Sequence, residues 1–355
     1  MKKILLLSHF SEWHIPSQYR FFQTIPYLKL KKIQVSYQSL YDITYYEEFS
    51  KLEKININYF GTLNFKRIIQ LLHSDNYDVL WVDSEALPGF PYFLESFFLP
   101  IDKKIVLDLG DTTFFKYETI NKRYYQSFLR DKFPGIIQRA DYVITRNSSI
   151  KEYADNFIQS KSILIPPTID LNQYPPYSQL DDINKNEFVI GFTGNHFSSN
   201  FLIKLDDVLR ELSRVYSIRL LVINGNKNLN FSIRTTFITA EGEEEIKELS
   251  CIDVGIFPIP NSLKERGNLA IGILKCMALS KPVIASDIGS AKDYITHSVN
   301  GYLCKTNDDW YLALRLLLDE KDLIESMGME ARKIVEKEYS ITDNINKLSS
   351  IFLEK

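Results

Sequence analysis

Short apolar runs alternate with helix-like runs along the whole chain, and this alternation restricts the fold more than any other feature. Ile4–Leu7, Val79–Val82, Ile105–Leu109, Tyr142–Thr145 and Ile163–Ile165 read as strands in the first half, with Tyr19–Lys31 as a helical stretch after the first. Strands that alternate with helices form parallel sheets through right-handed crossovers. From Asp170 to Asn186 the pattern lapses: Pro175-Pro176 and several Asp and Asn residues replace apolar periodicity, which is linker chemistry. The alternation then resumes with strands Phe188–Phe192, Leu220–Ile223, Val254–Phe257 and Val283–Ala285. Between and after them come helical stretches from about Phe201, over Glu241–Leu249, Leu269–Leu279, Trp310–Leu318, Leu323–Val335 and Ile341–Phe352. Leu205, Val208, Leu209, Leu212 and Val215 mark one apolar face at helical spacing. The chain is therefore an α/β protein with two doubly wound domains, and ligands are expected at the carboxyl ends of the strands.

A chain of 355 residues is long enough for two such domains. A net charge of −3 argues against a protein that grips nucleic acid along much of its surface. Three cysteines, scattered at 251, 276 and 304, supply neither a disulfide framework nor a CxxC metal site, and the five histidines show no HxxxH spacing. No run approaches ~18 consecutive apolar residues, so no transmembrane helix is expected. The opening MKKILLLSHF has an apolar core of only Ile4–Leu7, too short for a signal peptide, and reads as a buried first strand of a cytoplasmic protein. The 21 Tyr and 23 Phe read first as core and edge-strand filling, with contact to sugar or membrane, where a flat ring with a polar tip is useful, as the second reading. The aromatic stretch Pro88–Pro100 carries the same two readings, core packing or docking of a lipid-linked acceptor.

Two loops carry candidate chemistry. In Ile190–His196 a strand runs into a glycine-containing turn, Gly194-Asn195-His196, before a helix; small residues there let backbone amides approach an anion. An ordinary tight connection reads the same way. In Cys251–Ser290 the strand Val254–Phe257 ends at Pro258 and Pro260, and a polar loop leads to a helix beginning near Leu269. The expected free amides at Gly267, Asn268 and Leu269, with Arg266 beside them, form a cradle for a diphosphate. The run Glu241–Glu248 is expected to be a solvated helix face, the alternative being that Glu241 lines a nucleotide base pocket.

This second segment resembles the donor-binding half of retaining glycosyltransferases of the GT-B fold, family GT4, also described as glycosyl transferases group 1. The likeness rests on Asp253-Val254-Gly255-Ile256, Pro258-Ile259-Pro260, Ile273-Leu274-Lys275-Cys276-Met277-Ala278 and Ser280–Ser286, followed by Gly289, Asp293-Tyr294-Ile295 and Asn300-Gly301-Tyr302. In the first half, Pro16–Arg20, Pro26-Tyr27-Leu28, the turn Asp108-Leu109-Gly110-Asp111, Ala140–Ile144 and Ile165–Asp170 resemble the same family in the same order. Glu338-Tyr339-Ser340 resembles the point where the final helix crosses back to the first domain.

The resemblance implies a GT-B fold whose two Rossmann-like domains face each other across a cleft: residues 1–170 on the acceptor side, 171–335 binding the nucleotide sugar, and 336–355 crossing back. It implies a hexosyltransferase that moves a sugar, with retention, from a nucleotide-sugar donor to a glycan or lipid-linked saccharide in surface polysaccharide biosynthesis. Such a protein works in the cytoplasm, in contact with the inner membrane face when the acceptor is lipid-linked, and needs no metal or cofactor beyond the donor. Donor-binding residues would be Gly194, Asn195, His196, Arg266, Gly267, Asn268, Leu269 and Lys275; catalytic residues would be Asp108, Asp111 and His14. Asp108 and Asp111 equally suit turn capping after a strand, and His14, like His9, sits in the loop after the first strand.

The chain departs from the pattern at three places. The family's glutamates, eight positions apart, are replaced by Gly267 and Lys275, and the middle acid of the Asp-x-Asp-Asp turn is Gly110. A lysine cannot accept a hydrogen bond from a ribose hydroxyl. These losses motivate an alternative, a catalytically degenerate GT-B protein that serves as a partner or scaffold. A third reading, a GT-B-type epimerase, meets the same missing carboxylates, and the absence of GxGxxG after the first strand argues against an NAD enzyme.

Overall fold

The computed structural model describes residues 1–42, 57–110, 112–118, 129–158, 162–175, 187–267 and 270–354. The chain divides into two compact units, Met1–Thr168 with Asn344–Lys355, and Ile169–Asp343. Each holds one all-parallel six-stranded sheet. The first unit contains β1 (Lys2–Ser8), β2 (Ile33–Ser39), β3 (Val79–Asp83), β4 (Lys104–Leu109), β5 (Tyr142–Thr145) and β6 (Ser162–Leu164), in the spatial order β2-β1-β3-β4-β5-β6. The second contains β7 (Phe188–Thr193), β8 (Ile218–Ile223), β9 (Thr235–Ile238), β10 (Val254–Phe257), β11 (Val283–Ser286) and β12 (Gly301–Cys304), in the order β12-β11-β10-β7-β8-β9.

The apolar strand runs exist because both faces of each sheet are covered. In the first unit, successive residues of a strand enter different cores. Leu5 and Leu7 of β1, Leu80 and Val82 of β3 and Ile105 and Leu107 of β4 pack on one face. Ile4 and Leu6, Val79 and Trp81, and Val106 pack on the other. The second face is closed by the last helix, Ile341–Leu353, through Ile345, Leu348, Ile351 and Phe352. The Phe352 ring meets Trp81 edge-on at 5.1 Å. Lys104 Nζ donates to the Ile351 and Glu354 carbonyls at 2.6 and 2.9 Å and satisfies the helix end.

Several expectations need correction. β2 is an edge strand with six of its seven residues partly or fully exposed, so it lacks the apolar run that marks the central strands. β9 and β12, the edges of the second sheet, are two further strands of only four residues each, β9 half-buried throughout and β12 largely buried. The stretch Tyr19–Lys31 is a 3-10 turn, Phe22–Thr24, between two helices, Ile15–Arg20 and Ile25–Leu30. Pro26 sits in the first turn of the second, where its missing N–H costs nothing. The segment crossing back begins later than residue 336. Residues 336–343 stay with the second unit, where the Tyr339 hydroxyl donates to the Asp293 carbonyl at 2.8 Å and Ser340 bridges Ile169. Most of the expected linker, residues 176–186, lies outside the described residues.

The carboxyl ends of β3, β4 and β5 are joined by a buried network of two carboxylates and two guanidinium groups. Asp83 and Asp108 are register partners on β3 and β4, so two negative charges lie side by side. Arg20, at the end of the Ile15–Arg20 helix, donates from Nη2 to Asp83 Oδ1 at 2.8 Å and lies 3.3 Å from Asp108 Oδ1. Arg146, just past β5, donates from Nε to Asp108 Oδ1 at 2.9 Å and from Nη2 to Asp108 Oδ2. Trp81 Nε1 donates to Asp108 Oδ2 at 3.1 Å. All four charged residues are at most 5% exposed. Burial alone pushes the Asp83 carboxyl up, but Arg20, then His9, override it and hold it below the usual carboxylate range.

Phe352→Ala is expected to cost about 3–5 kcal/mol, the range for deleting a buried phenylalanine, in chemical denaturation of the first unit. Asp108→Asn removes the charge both arginines face and is expected to cost about 3–5 kcal/mol. Because the folded Asp83 carboxyl titrates below its unfolded value, its contribution is fully present above about pH 4 and is lost as pH falls through the folded value. Acid unfolding of the first unit below about pH 4 should flatten in Asp83→Asn; an unchanged acid limb excludes this carboxylate as its source.

Candidate functional site

In a doubly wound sheet, ligands bind where neighbouring connections leave in opposite directions. In the second unit that point lies between β7 and β10, since β8 and β9 extend one way from β7 and β10 to β12 the other. The loops after β7 and β10 are the two expected from the sequence, and helices Gly242–Ser250 and Ile271–Ala278 flank them.

After β7, Asn195 caps the short helix His196–Ser199. Its side chain accepts from Ser198 N at 2.8 Å, and Ser198 Oγ accepts from Asn195 N at 3.0 Å. The Asn195 amide oxygen is therefore used locally, while His196 is exposed. A Cβ at Gly194 would stand 2.6 Å from the Phe192 ring and from Ser198 Oγ, so a larger residue requires those side chains to shift.

After β10, Arg266 is exposed, with Nη2 3.5 Å from Asn261 Oδ1, and Gly267 is buried. Asn268 and Leu269 lie outside the described residues. Ala270 adopts φ 46°, ψ 45°, a left-handed conformation that a non-glycine residue rarely holds, immediately before the Ile271–Ala278 helix. That helix lies against the strand ends so closely that a Cβ at Gly272 would come within 2.6 Å of the Thr193 carbonyl oxygen.

Lys275 is not offered as a cation to solvent. It is 5% exposed, and its Nζ donates to Glu245 Oε1 and Oε2 at 2.8 and 2.7 Å. Glu245 Oε1 also accepts from Thr193 Oγ1 at 2.6 Å. Glu243 and Glu244 are exposed, but Glu245 faces inward with Leu249 one turn later, which corrects the reading of the whole run as a solvated face. Two signals mark it: the i, i+4 pairing of Glu245 with Leu249, and a lone lysine within the apolar stretch Ile271–Ala278. Burial, with Glu245 adding to it, pushes the neighbouring Cys276 thiol up to about 12, so it stays protonated.

In the first unit the corresponding point lies between β1 and β3. The loop after β1 gathers half-buried aromatic rings: Phe10 lies 5.6 Å from Trp13, 4.3 Å from His14 and 5.3 Å from Tyr41. His14 Nδ1 and Ser17 Oγ are 2.9 Å apart, and His9 Nε2 is 3.2 Å from the Glu85 carbonyl oxygen. Behind this loop Lys132 bridges two buried carboxylates, Glu85 at 2.5 Å and Glu95 at 3.1 Å. Burial pulls the Lys132 ammonium down, and Glu95 and Glu85 override it to hold it above its ordinary value. Glu95 accepts from Ala86 N and Leu87 N, which pins the loop after β3. Sequence reasoning missed this cluster; its one signal is Glu95, the single acid inside an aromatic run.

Asp108 is corrected. Both its oxygens are occupied by Arg146, Arg20 and Trp81, so it holds the sheet edge rather than meeting substrate. Asp111 lies outside the described residues. At Gly110, a Cβ would stand 1.7 Å from Arg20 Cζ: glycine leaves the space that the guanidinium fills. The stretch Pro88–Pro100 divides by burial. Phe98 packs on the core, whereas Phe93 and Phe97 are 61% and 81% exposed. Among the described residues no His, Cys, Asp or Glu group is placed to hold a metal ion, and no helix is long and apolar enough to cross a membrane.

Comparison with known proteins agrees with this geometry. Residues 208–334 match the family described as glycosyl transferases group 1. No curated protein matches the sequence. Among solved structures, the chain is similar to sucrose-phosphate synthase from Thermosynechococcus elongatus, with 14% identity, TM-score 0.74 and coverage of 99% of this chain and 98% of that one. A glycosyltransferase from Rickettsia africae superposes with 15% identity, TM-score 0.67 and the same coverage. HepE of Anabaena in complex with UDP-glucose superposes with 17% identity, TM-score 0.70, and 99% and 98% coverage. The second unit thus carries a glycosyl transferases group 1 segment, in a chain with the fold of GT-B glycosyltransferases.

Proposed function

We propose that the chain transfers a sugar from a nucleoside diphosphate sugar, with retention at the anomeric carbon, to a glycan or lipid-linked saccharide of a cell-surface polysaccharide. The observation that carries this reading is the match of residues 208–334 to glycosyl transferases group 1, which spans the loop after β10 and the Gly242–Ser250 and Ile271–Ala278 helices. HepE's binding of UDP-glucose supports a nucleotide-sugar donor.

The departing diphosphate is met by Arg266, by backbone amides at the start of the Ile271–Ala278 helix with Gly267, Asn268 and Leu269, and by the Gly194-Asn195-His196 turn. These groups concentrate positive charge where the leaving group gains negative charge, so catalysis is mainly positioning and electrostatic stabilisation. The acceptor hydroxyl attacks on the face from which the diphosphate departs, which retains configuration without a covalent sugar–protein intermediate. The half-buried rings of Phe10, Trp13 and Tyr41 suit the apolar face of a saccharide, and His14 orients an acceptor hydroxyl. The exposed Phe93, Phe97 and Ile101 favour a lipid-linked acceptor at the inner face of the cytoplasmic membrane.

A second reading, a catalytically silent GT-B scaffold, is favoured by one observation: Lys275 stands where the family holds a carboxylate, and it is engaged by Glu245. Sugar transfer separates the two.

Thermal melting against UDP-, GDP-, ADP- and CMP-sugars is expected to single out one nucleotide, with stabilisation of about 2.7 kcal/mol at a hundredfold excess over Kd. Proton NMR of the transferred sugar is expected to show the anomer of the donor; an inverted product overturns retention. Arg266→Ala is expected to weaken nucleotide binding by about 1.5–3 kcal/mol, and unchanged affinity by calorimetry removes Arg266 from the site.

A further inference from the structure

The Glu245–Lys275 pair sits in an unusual place for a purely structural ion pair. Thr193, which donates to Glu245, is the last residue of β7, so the carboxylate lies at the carboxyl end of the central strand, beside the switch point. Glu245 and Lys275 come from the two helices that flank that point, and their side chains retain 11% and 7% exposure. A carboxylate offers about four lone-pair sites. Three are taken: Oε1 by Thr193 and Lys275, and Oε2 by Lys275. Among the described residues one site on Oε2 remains, on a group whose orientation is fixed by a cation and a hydroxyl. Lys275 also lies one turn into the Ile271–Ala278 helix, about 6 Å along its axis from the first residue. A ribose diphosphate with its phosphates at the helix start brings its ring hydroxyls to that depth, and α/β nucleotide sites use a carboxylate on ribose hydroxyls.

We infer that Glu245 accepts a hydrogen bond from a ribose hydroxyl of the bound nucleotide, with Lys275 as the positioning residue that aims its carboxylate. This deepens the nucleotide-sugar reading and rests on it. The lysine at 275 then marks a carboxylate relocated to the facing helix, held in place by the lysine itself.

The test is calorimetry of the full chain with UDP, GDP and ADP, then with the 2′-deoxy and 3′-deoxy forms of whichever binds. The wild type is expected to bind one deoxy form about tenfold or more weakly than the parent nucleotide, the scale of a lost hydrogen bond to a charged group. In Glu245→Leu/Lys275→Met, which leaves no buried charge unpaired, parent and deoxy nucleotides are expected to bind alike. Glu245→Asp, which keeps the ion pair's charges but withdraws the oxygens, is expected to reduce the ratio and serves if the double variant does not fold. A purely structural pair lowers every affinity together and leaves the ratio unchanged. Equal binding of parent and both deoxy forms by the wild type overturns the inference while the nucleotide-sugar reading stands. Binding of none of the three nucleotides overturns that reading, and the inference with it.

Discussion

Two aspartates on adjacent parallel strands cannot share a dry sheet edge unless cations come with them. Asp83 and Asp108 are register partners, and both are buried. Their charges are balanced by Arg20 from the helix after β1 and Arg146 from the turn after β5. Each guanidinium spans elements distant in sequence, so the carboxyl ends of these strands are joined by ion pairs as well as by apolar packing. Buried pairs are an inefficient source of stability because desolvation offsets much of the attraction. What they add is definition: a guanidinium fork fits a carboxylate in few orientations. The glycine at 110 follows directly, because Arg20 occupies the volume a side chain would need.

The second unit solves a similar problem with fewer groups. Its sheet edge carries Thr193, Glu245 and Lys275, a single carboxylate held by one ammonium and one hydroxyl. The helix that supplies Lys275 is otherwise apolar and buried, and Gly272 allows it to press onto the strand ends. The Lys275 ammonium faces that carboxylate at 2.7 Å, so the buried charge is paired within the unit. In each unit, then, the apolar strands place the edge, and charged side chains decide which of its atoms can meet a ligand.

The central strands were legible because burial on both faces makes them continuous apolar runs, as in Ile4–Leu7 and Val79–Val82. The edge strands β2, β9 and β12 were not: β2 is exposed or half-buried at six of seven positions, and β9 and β12 are only four residues long. The loops after β7 and β10 were legible from glycine and proline placement. The state of the charged residues inside them was not. Asp108 reads from sequence as a turn acid or a catalytic acid, and its actual role depends on Arg20 and Arg146, 88 and 38 positions away. Glu245 was hidden in a run of acids because only its distant partner, Lys275, distinguishes it from Glu243 and Glu244. Long-range charge pairing leaves no local periodicity, so pattern reading finds the scaffold more readily than the chemistry.

The closing helix sets an order on events during synthesis. One face of the first sheet is covered early by Phe21, Phe22 and Leu28, and is completed only when Ile345, Leu348, Ile351 and Phe352 join the same core beside Trp81. All six strands of that sheet, by contrast, are made before residue 165. The second unit occupies the intervening chain, residues 169–343, and contains its own complete sheet. On the ribosome, where domains fold as units as they emerge, the unit made first must wait for the last helix. During that wait the part of this face beside Trp81 that Phe352 later fills is incomplete, and a chaperone that shields it has the whole synthesis time of the second unit in which to act.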